Sequence, residues 1–418
     1  MPVSGPDDLE MLEARFAERE PAVRAFLPEE GRFERLRRER ADLERRWPDP
    51  ARRPPLFGVP VGVKDIFHVD GFETRGGSRL PPTVLQGPEA ASVTALRAAG
   101  ALILGKTVST EFAYFAPGPT RNPWNPAHTP GGSSSGSAAA VGAGLCPLAL
   151  GSQTIGSILR PAAFCGVVGF KPSYERVSRD GVIPLAPSFD HMGLFASDVA
   201  GTARAAAVLC EDWRTVAGPA PRPRLGVPEG PYLERASEEG QAHFRETCRR
   251  LAAAGYEVVP VPALADFEEV RERHFRIFAA EAARVHRDWF ARFGNLYDRR
   301  TAELIERGQA ISDGQLARDL PACRALREEL TGRMDRHGLD LWISPPALGA
   351  APAGLDSTGD PVMNIPWTQG GMPAVSLPAG FNVSGSAGLP MGLQVAARFG
   401  RDEELLAAAR GLEEALRP

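Results

Sequence analysis

The 418-residue chain is 43% hydrophobic and 24% charged, with a formal net charge of -4. This composition is typical of a globular protein, and its weak acidity gives no general attraction to nucleic acid or to an anionic membrane surface. The N-terminus is acidic and lacks an apolar signal segment, and no apolar run reaches the length of a membrane-spanning helix. We therefore expect a cytoplasmic protein with no nucleic-acid partner and no membrane partner.

The five cysteines are scattered and form no CxxC pair, so neither a zinc site nor a disulfide framework is expected. The basic residues are more informative, because 45 of the 48 are arginine and only Lys64, Lys106 and Lys171 are lysine. Arginine keeps its proton in proteins, whereas a desolvated lysine can lose it. If a site here needs a neutral amine as a base, one of these three lysines must supply it.

Predicted helices and strands alternate along the first half of the chain. A charged helical region ends at the breaker PDPARRPP, and an apolar, β-branched run after it predicts a strand ending at Lys64 and Asp65. Helices are predicted over 8–47, 91–100 and 136–150, and strands over 56–65, 101–107 and 165–173.

The second half begins with a predicted strand, helix and strand over 224–261. A long, charged and aromatic helical region follows at 266–338, then a strand at 339–346, two strand-like runs and a final amphipathic helix at 402–416. This alternation predicts an α/β architecture around one mixed sheet.

The run GALILGKT, residues 100–107, has the spacing of a phosphate-binding loop. Its four inner residues are apolar, however, and belong in a buried strand rather than in a glycine-rich turn that presents amides. We therefore expect no nucleotide site here, and we expect Lys106 to make a structural pairing.

Three separated elements carry candidate chemistry: GVPVGVKD with Lys64, TPGGSSSGSAAA with Ser133, and GSQTIGSILRPAAFCG with Ser157. No Ser-His-Asp set is apparent near them. A serine hydrolase without a histidine needs another base, and a desolvated lysine is a known alternative. Lys64, at the end of an apolar strand in a lysine-poor chain, meets that requirement.

These elements resemble the amidase signature family of serine hydrolases in both order and spacing, with 24 residues from Ser133 to Ser157. The resemblance covers residues 56–200 and 364–415 well. It implies a Ser–cis-Ser–Lys triad in which Ser157 is the nucleophile, Ser133 relays a proton after a cis peptide bond, and Lys64 is the final base. It also implies a central mixed β-sheet flanked by helices on both sides.

The family motif further implies supporting groups around the nucleophile. Backbone N–H groups of Thr154, Ile155 and Gly156 are expected to form the oxyanion hole, and Ser134 is expected to donate to or accept from Lys64. The sequence departs from the usual D-x-G-G-S pattern by having Gln153 and Ile155, which affects the local shape and the substrate class.

Substrate-binding candidates follow from the same resemblance. Arg160 could bind a substrate carboxylate, or it could pair with a nearby acid for structural reasons; both interpretations stay open. The pocket is expected to include residues 110–115, among them Tyr114, together with Phe189 and Asp190.

The resemblance implies one amidase domain over 1–418, divided into N-terminal helices at 8–50, a signature core at 56–200, a variable and mostly helical insert at 220–340, and a C-terminal return to the core at 341–418. The expected activity is hydrolysis of a non-peptide carboxamide through an acyl-enzyme on Ser157, with release of ammonia or an amine and without a metal or cofactor. Two alternatives to this activity stay open. One is the A-type subunit of a glutamine-dependent tRNA amidotransferase, which requires partner subunits. A second alternative is a non-catalytic binding protein on the same scaffold. A small-molecule amide is the expected ligand, and a homodimer is compatible with the sequence.

Overall fold

Within the described residues, ten strands join into one mixed β-sheet at the centre of the molecule. The computed structural model describes residues 6–214, 216, 221–382 and 388–417. The predicted domain, 1–418, and the predicted insert, 220–340, therefore include some residues that lie outside these ranges. The strands are β1 Pro60–Lys64, β2 Leu102–Thr107, β3 Leu148–Gln153, β4 Val168–Lys171, β5 His191–Ala196, β6 Leu225–Glu229, β7 Val258–Pro262, β8 Leu341–Ser344, β9 Ala374–Phe381 and β10 Pro390–Ala396.

The strand order is β2-β1-β3-β5-β4-β9-β10-β8-β6-β7. Pairing is parallel at both edges, where β1 pairs with β2 and β3, and β6 pairs with β7 and β8; it is antiparallel in between. Strands from the first and last thirds of the chain therefore share one sheet, and the predicted α/β class with a central mixed sheet is confirmed.

Helices flank the sheet and cover its apolar strands. They are α1 Pro6–Val23, α2 Arg32–Arg46, α3 Ala91–Ala98, α4 Ser135–Gly142, α5 Leu159–Cys165, α6 Val199–Leu209, α7 Glu238–Ala253, α8 Phe267–Val285, α9 Arg287–Phe293, α10 Arg299–Gln309, α11 Asp313–Asp319, α12 Pro321–His337, α13 Ile365–Gln369 and α14 Asp402–Ala415. In the part of the chain that the structure describes, no helix has the length and apolar character needed to cross a membrane.

Two sequence-based boundaries are corrected. The predicted helix over 8–47 is two helices, because the chain turns between them at Arg24 and Gly31, both with positive φ. The predicted helix over 136–150 is wrong in its second half, where α4 ends and β3 begins. The apolar run from Leu148 pairs with β1 on one side and β5 on the other, and this buried position favours a strand.

Helix α4 is built from small residues because it packs directly against main chain. A Cβ atom on Gly136 would lie 2.2 Å from the carbonyl oxygen of Ala25 and 2.4 Å from the amide nitrogen of Val108. The Gly136 N–H in turn donates to the Val108 carbonyl at 2.9 Å. This close approach fixes the N-terminal end of α4, and with it the loop that carries Ser133.

Candidate active site

Lys64 lies at the C-terminal end of β1 and is 0% exposed. Its Nζ atom donates to the Oγ atoms of Ser133 at 2.7 Å and Ser152 at 2.8 Å. Burial holds the pKa of the Lys64 amine well below its usual value, and the more distant Asp190 carboxylate only partly opposes this shift. The geometry therefore favours a neutral amine that donates its hydrogen bonds to hydroxyl groups.

Ser133 lies in the loop just before α4, and the Gly132–Ser133 peptide bond is cis, as the resemblance implies. The Ser133 carbonyl accepts a hydrogen bond from the Thr110 N–H at 3.1 Å. The relay candidate is thus held at its backbone by Thr110 and at its hydroxyl by Lys64.

Ser134 does not occupy the expected supporting position beside Lys64. Its Oγ atom donates to the Ser152 carbonyl at 3.1 Å and accepts from the Ser152 N–H at 3.3 Å. The second partner of Lys64 is the hydroxyl of Ser152, because β3 lies directly beside β1 in parallel register. The sequence-based expectation for Ser134 is therefore corrected, and Ser152 is a residue that it missed.

Ser157 lies between the end of β3 and the start of α5 and is 8% exposed. Within the described residues its hydroxyl has no hydrogen-bond partner, so the hydrogen-bonded path from Lys64 reaches Ser133 and ends there. The Ser157 hydroxyl is consequently free to engage a substrate or Ser133 once a ligand enters.

Arg160, in the first turn of α5, is 1% exposed and is turned away from solvent. Its Nη2 donates to the Gly132 carbonyl at 2.6 Å and to Thr358 Oγ1 at 3.2 Å, and its Nη1 donates to the Gly359 carbonyl at 2.7 Å. In the described part of the chain no carboxylate forms an ion pair with Arg160, and Asp360 acts on its pKa only through its charge. Binding of a substrate carboxylate stays a prediction. Arg160 ties the segment that carries Ser157 to the peptide group that precedes Ser133.

The loop after β3 is fixed from the side of α8. The Thr154 hydroxyl donates to Asp190 Oδ1 at 2.7 Å, and the Thr154 carbonyl accepts from His274 Nε2 at 3.1 Å. The His274 ring stacks on Phe189 with centroids 4.1 Å apart. Burial lowers the pKa of His274 to about 3, so the ring is neutral and its single proton lies on Nε2. Phe189 and Asp190 therefore support the loop, and both are buried.

A second arrangement fixes the next peptide group of this loop. Thr368 Oγ1, on α13, donates to the Ile155 carbonyl at 2.6 Å. The Gln153 side chain donates through Nε2 to Thr368 Oγ1 at 2.9 Å, and its Oε1 accepts from the N–H groups of Ile158 and Leu159 at 2.8 and 3.0 Å. Gln153 thus occupies a defined structural place as a combined donor and acceptor.

Gly156 has no room for a side chain, because a Cβ atom there would lie 2.1 Å from Asn364 Oδ1. The Asn364 amide is held in place by donating to the Pro346 carbonyl at 3.0 Å and to Gln394 Oε1 at 2.7 Å. The expected oxyanion loop is therefore packed tightly against the C-terminal part of the sheet.

The segment 110–115 joins the site to the helical middle of the chain. Tyr114 is buried, stacks on Phe115 and contacts Phe278 of α8. Phe112 and Ala113 have φ values of 46° and 61°, which are uncommon for residues other than glycine and often mark functional segments. Tyr114 thus packs against α8, and its contact with a substrate stays a prediction.

Besides Ser152, the sequence left His274 and Thr368 of this region unidentified. His274 belongs to the helical middle, where the resemblance is only general, and Thr368 lies more than 200 positions after Ile155. Among the described residues there is no group of three or more His, Cys, Asp or Glu side chains placed to hold a metal ion.

Comparison with known proteins agrees with this geometry. A family model described as Amidase matches residues 14–406. The A-type subunit of glutamyl-tRNA(Gln) amidotransferase from Synechococcus sp. (strain RCC307) is 33% identical over 96% of this chain and 92% of its own length. The same subunit from Thermus thermophilus is 36% identical, over 86% and 85%. A crystal structure of an amidase matches with a TM-score of 0.87 at 32% identity, over 98% of this chain and 95% of that one.

These matches show that the chain belongs to the amidase family, so the predicted resemblance is confirmed. Members of this family act on carbon–nitrogen bonds of amides, and this chain is an enzyme of that hydrolase class.

Proposed function

We propose that this chain hydrolyses a carboxamide through an acyl-enzyme on Ser157, with Ser133 as proton relay and Lys64 as base. The observation that carries the proposal is the environment of Lys64, a fully buried amine 2.7 Å from Ser133 Oγ. Among the described residues, its hydrogen-bond partners are the Ser133 and Ser152 hydroxyl groups. A neutral amine in this position can accept a proton at neutral pH, which an ordinary lysine cannot do.

The chemistry then runs in two balanced halves. The Ser157 oxygen attacks the amide carbon while its proton passes through Ser133 to Lys64, and the carbonyl oxygen becomes an oxyanion that backbone N–H groups stabilise. Collapse breaks the carbon–nitrogen bond, and the proton returns through Ser133 to the leaving nitrogen. Water then attacks the Ser157 ester by the same route and releases the carboxylic acid.

The identity of the amide substrate depends on which of two kinds of enzyme this chain is. Similarity to a crystallised amidase supports a stand-alone enzyme acting on a small amide. The curated relatives named as A-type amidotransferase subunits, at 33% and 36% identity, weigh somewhat more toward a chain that uses glutamine together with partner chains. Glutamine is therefore the first amide to test. The homodimer and the cytoplasmic location stay predictions.

Ammonia and amine release by the purified chain tests the proposal. The panel comprises glutamine, malonamate-like half-amides, arylacetamides and ureas, with Ser157→Ala as the matched control and fluorophosphonate labelling of Ser157 as a substrate-independent measure. Release that Ser157→Ala abolishes supports a stand-alone amidase. Labelling of Ser157 without release from any amide favours the amidotransferase candidate. Absence of labelling in the folded protein contradicts the proposal and favours the non-catalytic alternative.

A further inference from the structure

Two carbonyl groups of the loop after β3 are occupied by side chains that lie far away in the sequence. The Thr154 carbonyl accepts from His274, and the Ile155 carbonyl accepts from Thr368. Both donors are buried, at 0% and 1% exposure, so neither bond competes with bulk water. These two bonds join α8 and α13 to the loop that precedes Ser157.

The amide side of the same peptide groups is unoccupied. In the described part of the chain, the N–H groups of Ile155, Gly156 and Ser157 donate to no backbone or side-chain acceptor. A trans peptide group is planar, so its carbonyl and the N–H that follows point in opposite directions. A bond that fixes the Thr154 carbonyl therefore fixes the direction of the Ile155 N–H. The bond to the Ile155 carbonyl does the same for the Gly156 N–H.

We propose that His274 and Thr368 are positioning residues, which aim the Ile155 and Gly156 N–H groups at the oxyanion of the reaction. This inference rests on the proposed function and adds two residues to it. Oxyanion donors act by being oriented before the charge develops, so their effect depends on groups behind them as well as on the donors themselves.

The side chain of Gln153 accounts for the direction of the Thr368 bond. A threonine hydroxyl has one proton, which it can give to one acceptor at a time. Because the Gln153 amide donates to Thr368 Oγ1, the Thr368 proton is left for the Ile155 carbonyl. A carboxylate at 153 could not donate and would compete for that proton. The departure from the family's usual aspartate thus matches a threonine at 368 that must act as a donor.

The first test compares Thr368→Val, which removes the donor, with Thr368→Ser, which keeps it. The measurement is the second-order rate of Ser157 labelling by a fluorophosphonate, whose phosphoryl oxygen occupies the position of the oxyanion. We expect Thr368→Val to lower this rate about 10- to 100-fold, since removal of an oxyanion donor itself costs about 100- to 1000-fold. Thr368→Ser should be labelled at nearly the rate of the unaltered protein. Thr202→Val is the matched control, because Thr202 on α6 is also fully buried and donates to the carbonyl of Asp198, the residue before that helix.

The second test uses His274→Gln, whose amide can reach the same carbonyl, and His274→Phe, which keeps the stacking on Phe189 without the donor. A labelling rate that is retained in His274→Gln and lowered in His274→Phe supports the positioning role. For any amide that the panel identifies, the loss should fall on kcat, with KM nearly unchanged. Gln153→Glu should lower the labelling rate as much as Thr368→Val does. If Thr368→Val does not fold, Gln153→Glu tests the inference in its place.

The outcomes separate this inference from the proposed function. If folded Thr368→Val, His274→Phe and Gln153→Glu all label at the rate of the unaltered protein, the inference is overturned while the triad stands. If Thr368→Ser is as slow as Thr368→Val, a hydrogen bond from the hydroxyl is not the cause and the inference is again overturned. If Ser157 of the unaltered protein is not labelled at all, both proposals fall together.

Discussion

Asp65 directly follows Lys64 in the chain, yet its carboxylate pairs with Lys106, at 2.9 Å. Both partners of this ion pair are buried, at 1% and 3% exposure. The parallel register of β1 and β2 explains the choice, since Val63 lies opposite Lys106 and brings the end of β1 beside it. The carboxylate nearest to Lys64 in sequence is therefore engaged elsewhere, and the expected structural pairing of Lys106 is what the structure contains.

Replacing one member of this buried pair should destabilise the fold. We expect Lys106→Met to lower the free energy of unfolding by about 3–5 kcal/mol, because the Asp65 carboxylate is left buried without its partner. Denaturant unfolding measures the change. The double variant Asp65→Asn with Lys106→Met is the control and should recover much of the loss. A single variant as stable as the unaltered protein would contradict this interpretation.

The buried Lys64 amine, the proposed base, should lower the free energy of unfolding at neutral pH. Its pKa is lowered in the folded protein, so between that lowered value and the usual value near 10.5 the unfolded chain binds the extra proton. Stability therefore rises with pH across this window, by at most about 1.4 kcal/mol per pH unit for one proton. Lys64→Met should remove that slope, raise Tm at neutral pH and abolish labelling of Ser157.

The measurement is the free energy of unfolding at several pH values for the unaltered protein and Lys64→Met. Their difference cancels the contributions of Lys106 and Lys171, whose pKa values burial also lowers. Parallel curves for the two proteins would mean that Lys64 is charged in the folded state, which contradicts its role as a resting base.

Ser152 should tune the base without taking part in bond making. Its hydroxyl accepts from Lys64 Nζ, and an acceptor favours the charged amine. Ser152→Ala should therefore lower the pKa of Lys64 further and move the acid limb of the pH–rate profile to lower pH. Ser137→Ala is the matched control, since Ser137 is equally buried but bonds to the Leu150 carbonyl and Thr107. An acid limb that stays in place would argue against this role.

Arg160 should act on the fold and not on substrate choice. Its guanidinium reaches the Gly132 and Gly359 carbonyls at once, a geometry that a lysine ammonium cannot reproduce. We expect Arg160→Lys to lower the free energy of unfolding by about 1.5–3 kcal/mol, the contribution of a charge-assisted hydrogen bond. The variant should also lower kcat equally for amides with and without a carboxylate. A rise in KM confined to half-amides would restore the carboxylate-binding interpretation.

The local sequence pattern was sufficient to predict helices and strands that have a strong hydrophobic periodicity and turn residues at their ends. The strand that ends at Lys64 and the helix that stops before Gly100 are examples. The order and spacing of three short motifs likewise predicted that the structure brings Ser133 to Lys64.

The remainder depends on contacts between distant positions, which no local pattern contains. Strand β5, HMGLFA, was not predicted, because its identity as a strand follows from pairing with β3 and β4 on either side. Ser152, and not the expected Ser134, bonds to Lys64, because the register between β1 and β3 decides which hydroxyl faces Lys64. His274 and Thr368 come from helices whose approach to the loop is set by tertiary packing alone.

The placement of β9 between β4 and β10 has a consequence for biosynthesis. Strand β4 ends at Lys171, but its partner β9 begins at Ala374, so a ribosome must make about 200 further residues before that edge is paired. Until then the nascent chain contains Lys64, Ser133 and Ser157 on an incomplete sheet whose open edge can recruit other chains. Translation that stops before β9 should therefore yield an aggregating fragment, even though every triad residue has been synthesised.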